Sequence, residues 1–225
     1  MLNHMNKNCL KFFKLILKKN SLLRALQIYE CSNIKLHGIS LEFGVENNRN
    51  KIFSNFVLGR SKFHYTNKIN NKKSISFYSD LTRKLKITSG KYDNVLFFNV
   101  LEHLPEYKLA FSEIYRIIKK KGNFVGSIPF IYQIHGAPKD YFRFTKKFLE
   151  LNLKKYRFKK VKVRSLGFGP FVASYSLLYS YLKYIPLLSQ ICLLLAYIFD
   201  NVIQIFVKTD LREIFPVGYF FIAKK

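Results

Sequence analysis

Between Lys91 and Thr145 the chain switches period and polarity in a way that leaves few folds open. Val95–Val100 is a short apolar run, and Ala110, Ile114, Ile117 and Ile118 then recur at i, i+4, i+7 and i+8. That spacing predicts a buried strand followed by an amphipathic helix. Pro105 and Glu106 suit the first turn of the helix, and Lys119–Lys121 with Gly122 suit its end. A second strand over Asn123–Pro129 completes a strand-helix-strand unit, in which the strands are expected to be parallel and the crossover right-handed. Open parallel sheets bind ligands beyond the carboxyl ends of their strands. Those ends carry Asn99, Glu102 and His103 after one strand, and His135, Asp140, Tyr141 and Arg143 after the next.

The same stretch resembles the strand-4 to strand-5 region of class I S-adenosylmethionine-dependent methyltransferases of the type 11 group. The resemblance is carried by YDNVLFFNVLEHL, by the helix end EIYRIIKKKG, and by a spaced loop pattern matched at Pro129, Phe130, Tyr132, His135, Pro138, Asp140, Tyr141, Arg143 and Thr145. Lys120 and Lys121 stand where the family has Pro and Gly, which is expected to alter only a surface turn. The resemblance implies a doubly wound α/β fold, a mostly parallel seven-strand Rossmann-like sheet, with S-adenosylmethionine as cofactor.

Upstream the resemblance continues more sparsely. Leu41-Glu42-Phe43-Gly44 looks like the family's first motif, where glycine lets the backbone turn tightly and approach the cofactor. Glu42 matches the acid that helps hold the methionine amino group, while Glu46 replaces the motif's second glycine. A strand over Lys62–Thr66 should end at an acid for the ribose hydroxyls, and Asn67 stands there instead. An amide accepts one hydrogen bond without the charge assistance of a carboxylate. A third strand over Ser74–Tyr78 leads to Asp80 and Leu81, which resemble the adenine-side pair. Asp80 is equally suited to an Asx turn after a strand. Asn99 completes the implied cofactor set.

The 225 residues suffice for one α/β domain, and 49% hydrophobic content excludes a disordered chain. Thirty-nine Lys and Arg against 13 Asp and Glu give a net charge of +26. Such an excess implies an anionic partner, a membrane surface or nucleic acid, unless a compositional bias toward Lys, Asn, Ile and Phe explains it. Cys9, Cys31 and Cys192 are widely spaced and fit reduced thiols rather than a zinc or disulfide framework. Residues 1–35 read as a basic amphipathic helix, either packed on a sheet edge or lying on anionic lipid; Lys14 interrupts the apolar core a signal peptide needs. Residues 36–225 read as the methyltransferase-like domain. A helix is expected over Thr145–Leu153, a strand over Phe158–Leu166 and a last strand over Gly218–Lys225. Between them, residues 171–213 read as an apolar helical insertion capping the substrate side. From Tyr184 to Val207 the only charge is Asp200. That length reaches across a bilayer core of roughly 30 Å, although Pro186, Gln190, Asp200, Asn201 and Gln204 oppose a span.

Three functional classes follow. Methyl transfer to a small or lipid-linked acceptor, such as a saccharide or cell-envelope precursor, suits the apolar insertion and basic leader. It places the protein in the cytoplasm, peripheral on the inner membrane face. Nucleic-acid methylation is favoured only by charge and is the lesser expectation. A non-catalytic protein retaining the fold is favoured by Glu46 and Asn67. For catalysis, His135 is the candidate base, because imidazole exchanges protons near neutral pH; a loop hydrogen bond to Asp140 is its alternative role. His103 is expected to orient its loop. Arg143 either clamps an acidic acceptor or pairs with Asp140 or Glu102.

Overall fold

The computed structural model describes residues 20–44, 52–67, 77–136 and 139–225. Four features expected from the sequence lie outside those residues: the lysine-rich part of the leader, the Glu46 turn, Ser74–Ser76 and Pro138. Seven strands form one sheet: β1 (Lys35–Phe43), β2 (Val57–Asn67), β3 (Phe77–Tyr78), β4 (Tyr92–Phe98), β5 (Ile118–Pro129), β6 (Lys159–Leu166) and β7 (Gly218–Lys224). Their order is β3-β2-β1-β4-β5-β7-β6. The first five strands pair in parallel, with Phe43 opposite both Thr66 and Phe97, and Phe98 opposite Ser127. Lys121 N donates to Lys225 O, and Phe130 N donates to Val217 O. Rising numbers on one strand thus meet falling numbers on the other, so β7 runs antiparallel to β5. The doubly wound seven-strand sheet expected from the sequence is present.

The chain divides into two compact units. The larger comprises residues 31–128, 134–164 and 220–225. Its core is an aromatic chain through the sheet: Phe43 to Phe97 at 5.3 Å, Phe97 to Phe124 at 5.7 Å and Phe124 to Phe221 at 5.0 Å between ring centroids. Val95, Leu96 and Phe97 are fully buried, as their uninterrupted apolar run requires of a central parallel strand. The helices of this unit are α2 (Tyr107–Ile117) and α3 (Lys146–Lys155), while α1 (Leu22–Cys31) precedes β1. Thr145 caps α3, its hydroxyl accepting from Phe148 N. Ala110, Phe111, Ile114 and Ile117 form the buried stripe of α2, as their spacing predicts.

The boundary after α2 differs from expectation. Lys119–Lys121 do not end the helix; β5 already begins at Ile118. Asp93 is the cause, because its carboxylate accepts from Lys119 Nζ at 2.7 Å and from Ile39 N at 2.8 Å, drawing this segment onto the sheet. Lys121 sits at φ 66°, a left-handed conformation where the family places glycine. The last carbonyls of α2 are met from outside the helix: Gly90 N donates to Arg116 O, Lys91 N to Ile117 O, and Lys225 Nζ to Tyr115 O.

The smaller unit comprises residues 129–133 and 165–219 with the chain up to residue 30. Leu22, Leu23, Ala25 and Leu26 of α1 are buried, so the described end of the leader is a packed helix. Residues expected as an apolar insertion form α4 (Pro170–Leu182), α5 (Pro186–Phe206) and α6 (Leu211–Ile214). Asp200 is buried and its carboxylate accepts from Phe171 N and Val172 N, both at 2.9 Å. It therefore caps α4 from within α5, and a Cβ on Gly169 would come within 2.6 Å of its carboxyl carbon. Two further polar groups of α5 are satisfied within the unit: Asn201 donates to Tyr197 O, and Gln204 bonds Val207 O and Leu211 N. The cost in lipid that the sequence assigns to Asp200, Asn201 and Gln204 is thus largely met by protein partners. Among the described residues α5 is the one helix long and apolar enough to cross a membrane, and only 22% of its apolar stretch is buried.

Candidate active site

The parallel register puts Gly44, Asn67, Asp80 and Asn99 at one edge of the sheet, beyond β1, β2, β3 and β4. Gly44 holds φ +77°, and a Cβ there would stand 2.7 Å from Val100 Cγ2. Its N–H donates to Thr66 O at 3.0 Å. Both the turn and the close approach require glycine. Glu42 is buried, with Oε1 accepting from Ile52 N at 2.8 Å, so part of its carboxylate holds the far end of the loop after β1. Asn67 ends β2, and its side chain is outside what is described. Asp80 forms the Asx turn: Oδ1 accepts from Thr82 N at 2.9 Å and Thr82 Oγ1 at 2.7 Å. Leu81 beside it is buried. Asn99 adopts φ 53° and donates its N–H to Ser127 O, joining the turns after β4 and β5.

Beyond β4 and β5 a second group converges. Arg143 grips Asp140 through both oxygens, Nη1 to Oδ1 at 2.5 Å and Nη2 to Oδ2 at 2.6 Å. This bidentate pair holds the Asp140 carboxyl well below the usual range, at about 2. Of the partners the sequence offered Arg143, Asp140 is the one it grips. Asp140 Oδ2 also accepts from His135 N at 3.1 Å and lies 3.2 Å from His135 Nδ1. The loop hydrogen bond and an oriented imidazole therefore coexist. His103 Nδ1 lies 2.7 Å from Lys139 O, pinning the turn after β4 to the loop after β5. Its ring meets that of His135 edge to face at 5.0 Å.

The residue whose role the sequence did not expose is Glu102. It is fully buried, and neither carboxylate oxygen has a hydrogen-bonding partner among the described residues. Its nearest opposite group is His103 Nε2 at 3.9 Å. Burial pushes its carboxyl up to about 8. No spacing rule marks such a carboxylate, because the segment beside it lies far along the chain: Tyr141 N donates to Glu102 O. Tyr107, Phe142, Phe144 and Phe148 form an aromatic cluster, with Tyr107 within 5.6 Å of the other three ring centroids.

Residues 60–126 match the model of a family described as a methyltransferase domain. Over that segment, under a third of its length, the chain is similar to a methyltransferase domain. Three solved structures share that fold. The S-adenosylmethionine-dependent methyltransferase of Archaeoglobus fulgidus is 15% identical, with 87% of this chain and 88% of that one covered and a TM-score of 0.54. A possible histamine N-methyltransferase of Thermotoga maritima is 14% identical, with 89% and 87% covered and a TM-score of 0.53. Phosphoethanolamine N-methyltransferase 2 of Haemonchus contortus, solved with S-adenosyl-L-methionine, is 17% identical, with 85% and 49% covered and a TM-score of 0.53. This chain spans about half the length of the Haemonchus enzyme. No curated protein matches the chain. At these strand ends Gly44 leaves no room for a Cβ beside Val100, and Leu81 is a buried apolar neighbour of the Asp80 turn.

Proposed function

We propose that the protein transfers the methyl group of S-adenosylmethionine to a small or lipid-linked acceptor, such as a saccharide or cell-envelope precursor, at the cytoplasmic face of an anionic membrane. The cofactor would supply an electrophilic sulfonium methyl. Gly44 and the turns at Asp80 and Asn99 would bind it, with Glu42 and Asn67 at the ends of their strands. The observation that carries a catalytic reading is the His135-Asp140-Arg143 constellation. Arg143 keeps Asp140 ionised, and the ionised carboxylate orients the His135 ring. An oriented imidazole on the ligand-binding edge is placed to accept a proton from an acceptor hydroxyl or amine. Arg143, fully engaged by Asp140 through its fork, acts on the acceptor through this pair rather than as a separate clamp.

A small acceptor is supported by likeness: the Haemonchus and Thermotoga proteins are named for methylating phosphoethanolamine and, as a possibility, histamine. The membrane setting is supported by α5. Its exposed residues are apolar except Gln190, and include Leu187, Ile191, Leu195, Ile198, Ile205 and Phe206. Lys183 and Lys208 flank the helix, and the net charge of +26 complements anionic lipid. Titration calorimetry with S-adenosylmethionine tests the central claim. Micromolar to millimolar affinity, weakened in Gly44→Ala and Asp80→Ala, is expected; no heat at millimolar cofactor would leave a non-catalytic protein with this fold.

A further inference from the structure

We propose that Glu102, His103 and His135 form a binding site for a divalent transition-metal ion of the zinc class. One ligand atom from each side chain lies within 4.8 Å of the others. In a tetrahedral site with bonds of about 2.1 Å, neighbouring ligand atoms stand roughly 3.4 Å apart. Glu102 Oε1 and His103 Nε2 are already at 3.9 Å, so that pair closes with a shift of about half an ångström, and the widest pair, within 4.8 Å, with at most about 1.4 Å, within the reach of side-chain torsions.

Two features besides proximity point to an ion. The first is the state of the ligands. A carbonyl only accepts, so the 2.7 Å contact between His103 Nδ1 and Lys139 O makes Nδ1 the donor. A neutral His103 ring then carries its lone pair on Nε2, the nitrogen facing Glu102. His135 shows the companion arrangement, with Nδ1 3.2 Å from Asp140 Oδ2 and Asp140 in turn gripped by Arg143. An imidazole backed by a carbonyl or carboxylate is the outer-shell pattern of metal-ligating histidines. The second feature is Glu102. A fully buried carboxylate without a hydrogen-bonding partner among the described residues is costly, and a cation beside it removes that cost. Two imidazoles and one carboxylate match the donor set of catalytic zinc sites that keep a fourth position open.

With the ion bound, His135 serves as a ligand, and an acceptor oxygen at the open position would release its proton to solvent more readily. That consequence rests on the methyl-transfer reading; the ion site does not.

The test uses the untagged full chain, stripped with chelator, dialysed against zinc chloride and assayed for metal content. One equivalent of zinc is expected. Glu102→Gln and His103→Ala should each weaken binding more than about 100-fold, and Asp140→Asn, acting through His135, by about 10- to 100-fold. Circular dichroism checks that each variant folds. Cobalt(II) in place of zinc should give a tetrahedral visible spectrum without a thiolate charge-transfer band. Zinc uptake no greater than in the Glu102→Gln/His103→Ala double variant would overturn the site, as would a thiolate band showing that Cys9, Cys31 or Cys192 holds the ion. Calorimetry with S-adenosylmethionine on the stripped protein separates the two claims. Zinc without cofactor binding would sink methyl transfer alone, and cofactor without zinc would sink the ion site alone.

Discussion

Replacing Asp200 with alanine should loosen the start of α4 while leaving the sheet intact. The carboxylate meets two backbone donors, Phe171 N and Val172 N, at 2.9 Å in a buried setting. Each donor left unpaired costs about 1–3 kcal/mol, and losing an acid at a helix N-terminus adds about 0.5–1 kcal/mol. Against this, burial already pushes the Asp200 carboxyl up despite its two bonds, so the native state carries a desolvation cost that alanine removes. The balance favours the low end of the summed range of about 2.5–7 kcal/mol, about 3 kcal/mol. Asparagine keeps one acceptor and should lose about half as much. Native-state hydrogen exchange read by mass spectrometry is the direct assay. Peptides covering 170–182 should lose protection in the order alanine, then asparagine, then wild type, with β4 and β5 unchanged. Protection of that helix unchanged in Asp200→Ala, or asparagine as damaging as alanine, would refute the capping role.

Given an acceptor, His135→Ala should lower turnover by roughly 100-fold or more; steady-state kinetics with an unchanged rate would reduce it to a loop residue. Vesicle flotation should show binding to anionic vesicles that is partly reversed by salt, since attraction of about 1 kcal/mol per Lys or Arg is screened while apolar burial is not. Retention in alkaline carbonate would instead establish a span, and failure to float would remove the membrane. Glu113 accepts from Arg116 and from Leu85 N, and the Arg116 bond lowers its carboxyl pKa. Its stabilisation is therefore complete above the unfolded value and lost as pH falls through the folded one. Acid unfolding should begin at higher pH in Arg116→Gln than in wild type.

The centre of the fold was legible because β4, α2 and β5 obey local rules: an apolar run for a central strand, an i, i+4, i+7 stripe for a helix, and Thr145 before α3. The strand ends were legible because Gly44, Asp80 and Asn99 are turn-forming types: glycine and asparagine tolerate positive φ, and an aspartate side chain bonds the backbone two residues on. What escaped was set by partners far along the chain. Lys119 looks like a helix-end cation until Asp93, 26 residues away, draws it to the sheet. Asp200 looks like a penalty in an apolar run because the amides it caps are 28 and 29 positions earlier. The setting of Glu102 likewise involves Tyr141, 39 positions downstream, and no short window of sequence contains both.

Placing β7 between β5 and β6 sets an order of events during synthesis. When β6 leaves the ribosome, the strand that must separate it from β5 has not been made, and Gly218 comes 52 positions after Leu166. At about 5–20 residues per second that interval lasts roughly 3–10 seconds. Throughout it β5 exposes an unpaired edge, and the segment emerging is the apolar one, α4 and α5. The nascent chain must therefore shelter its most hydrophobic helices before its sheet can close, so whatever surface receives those helices meets a half-built protein.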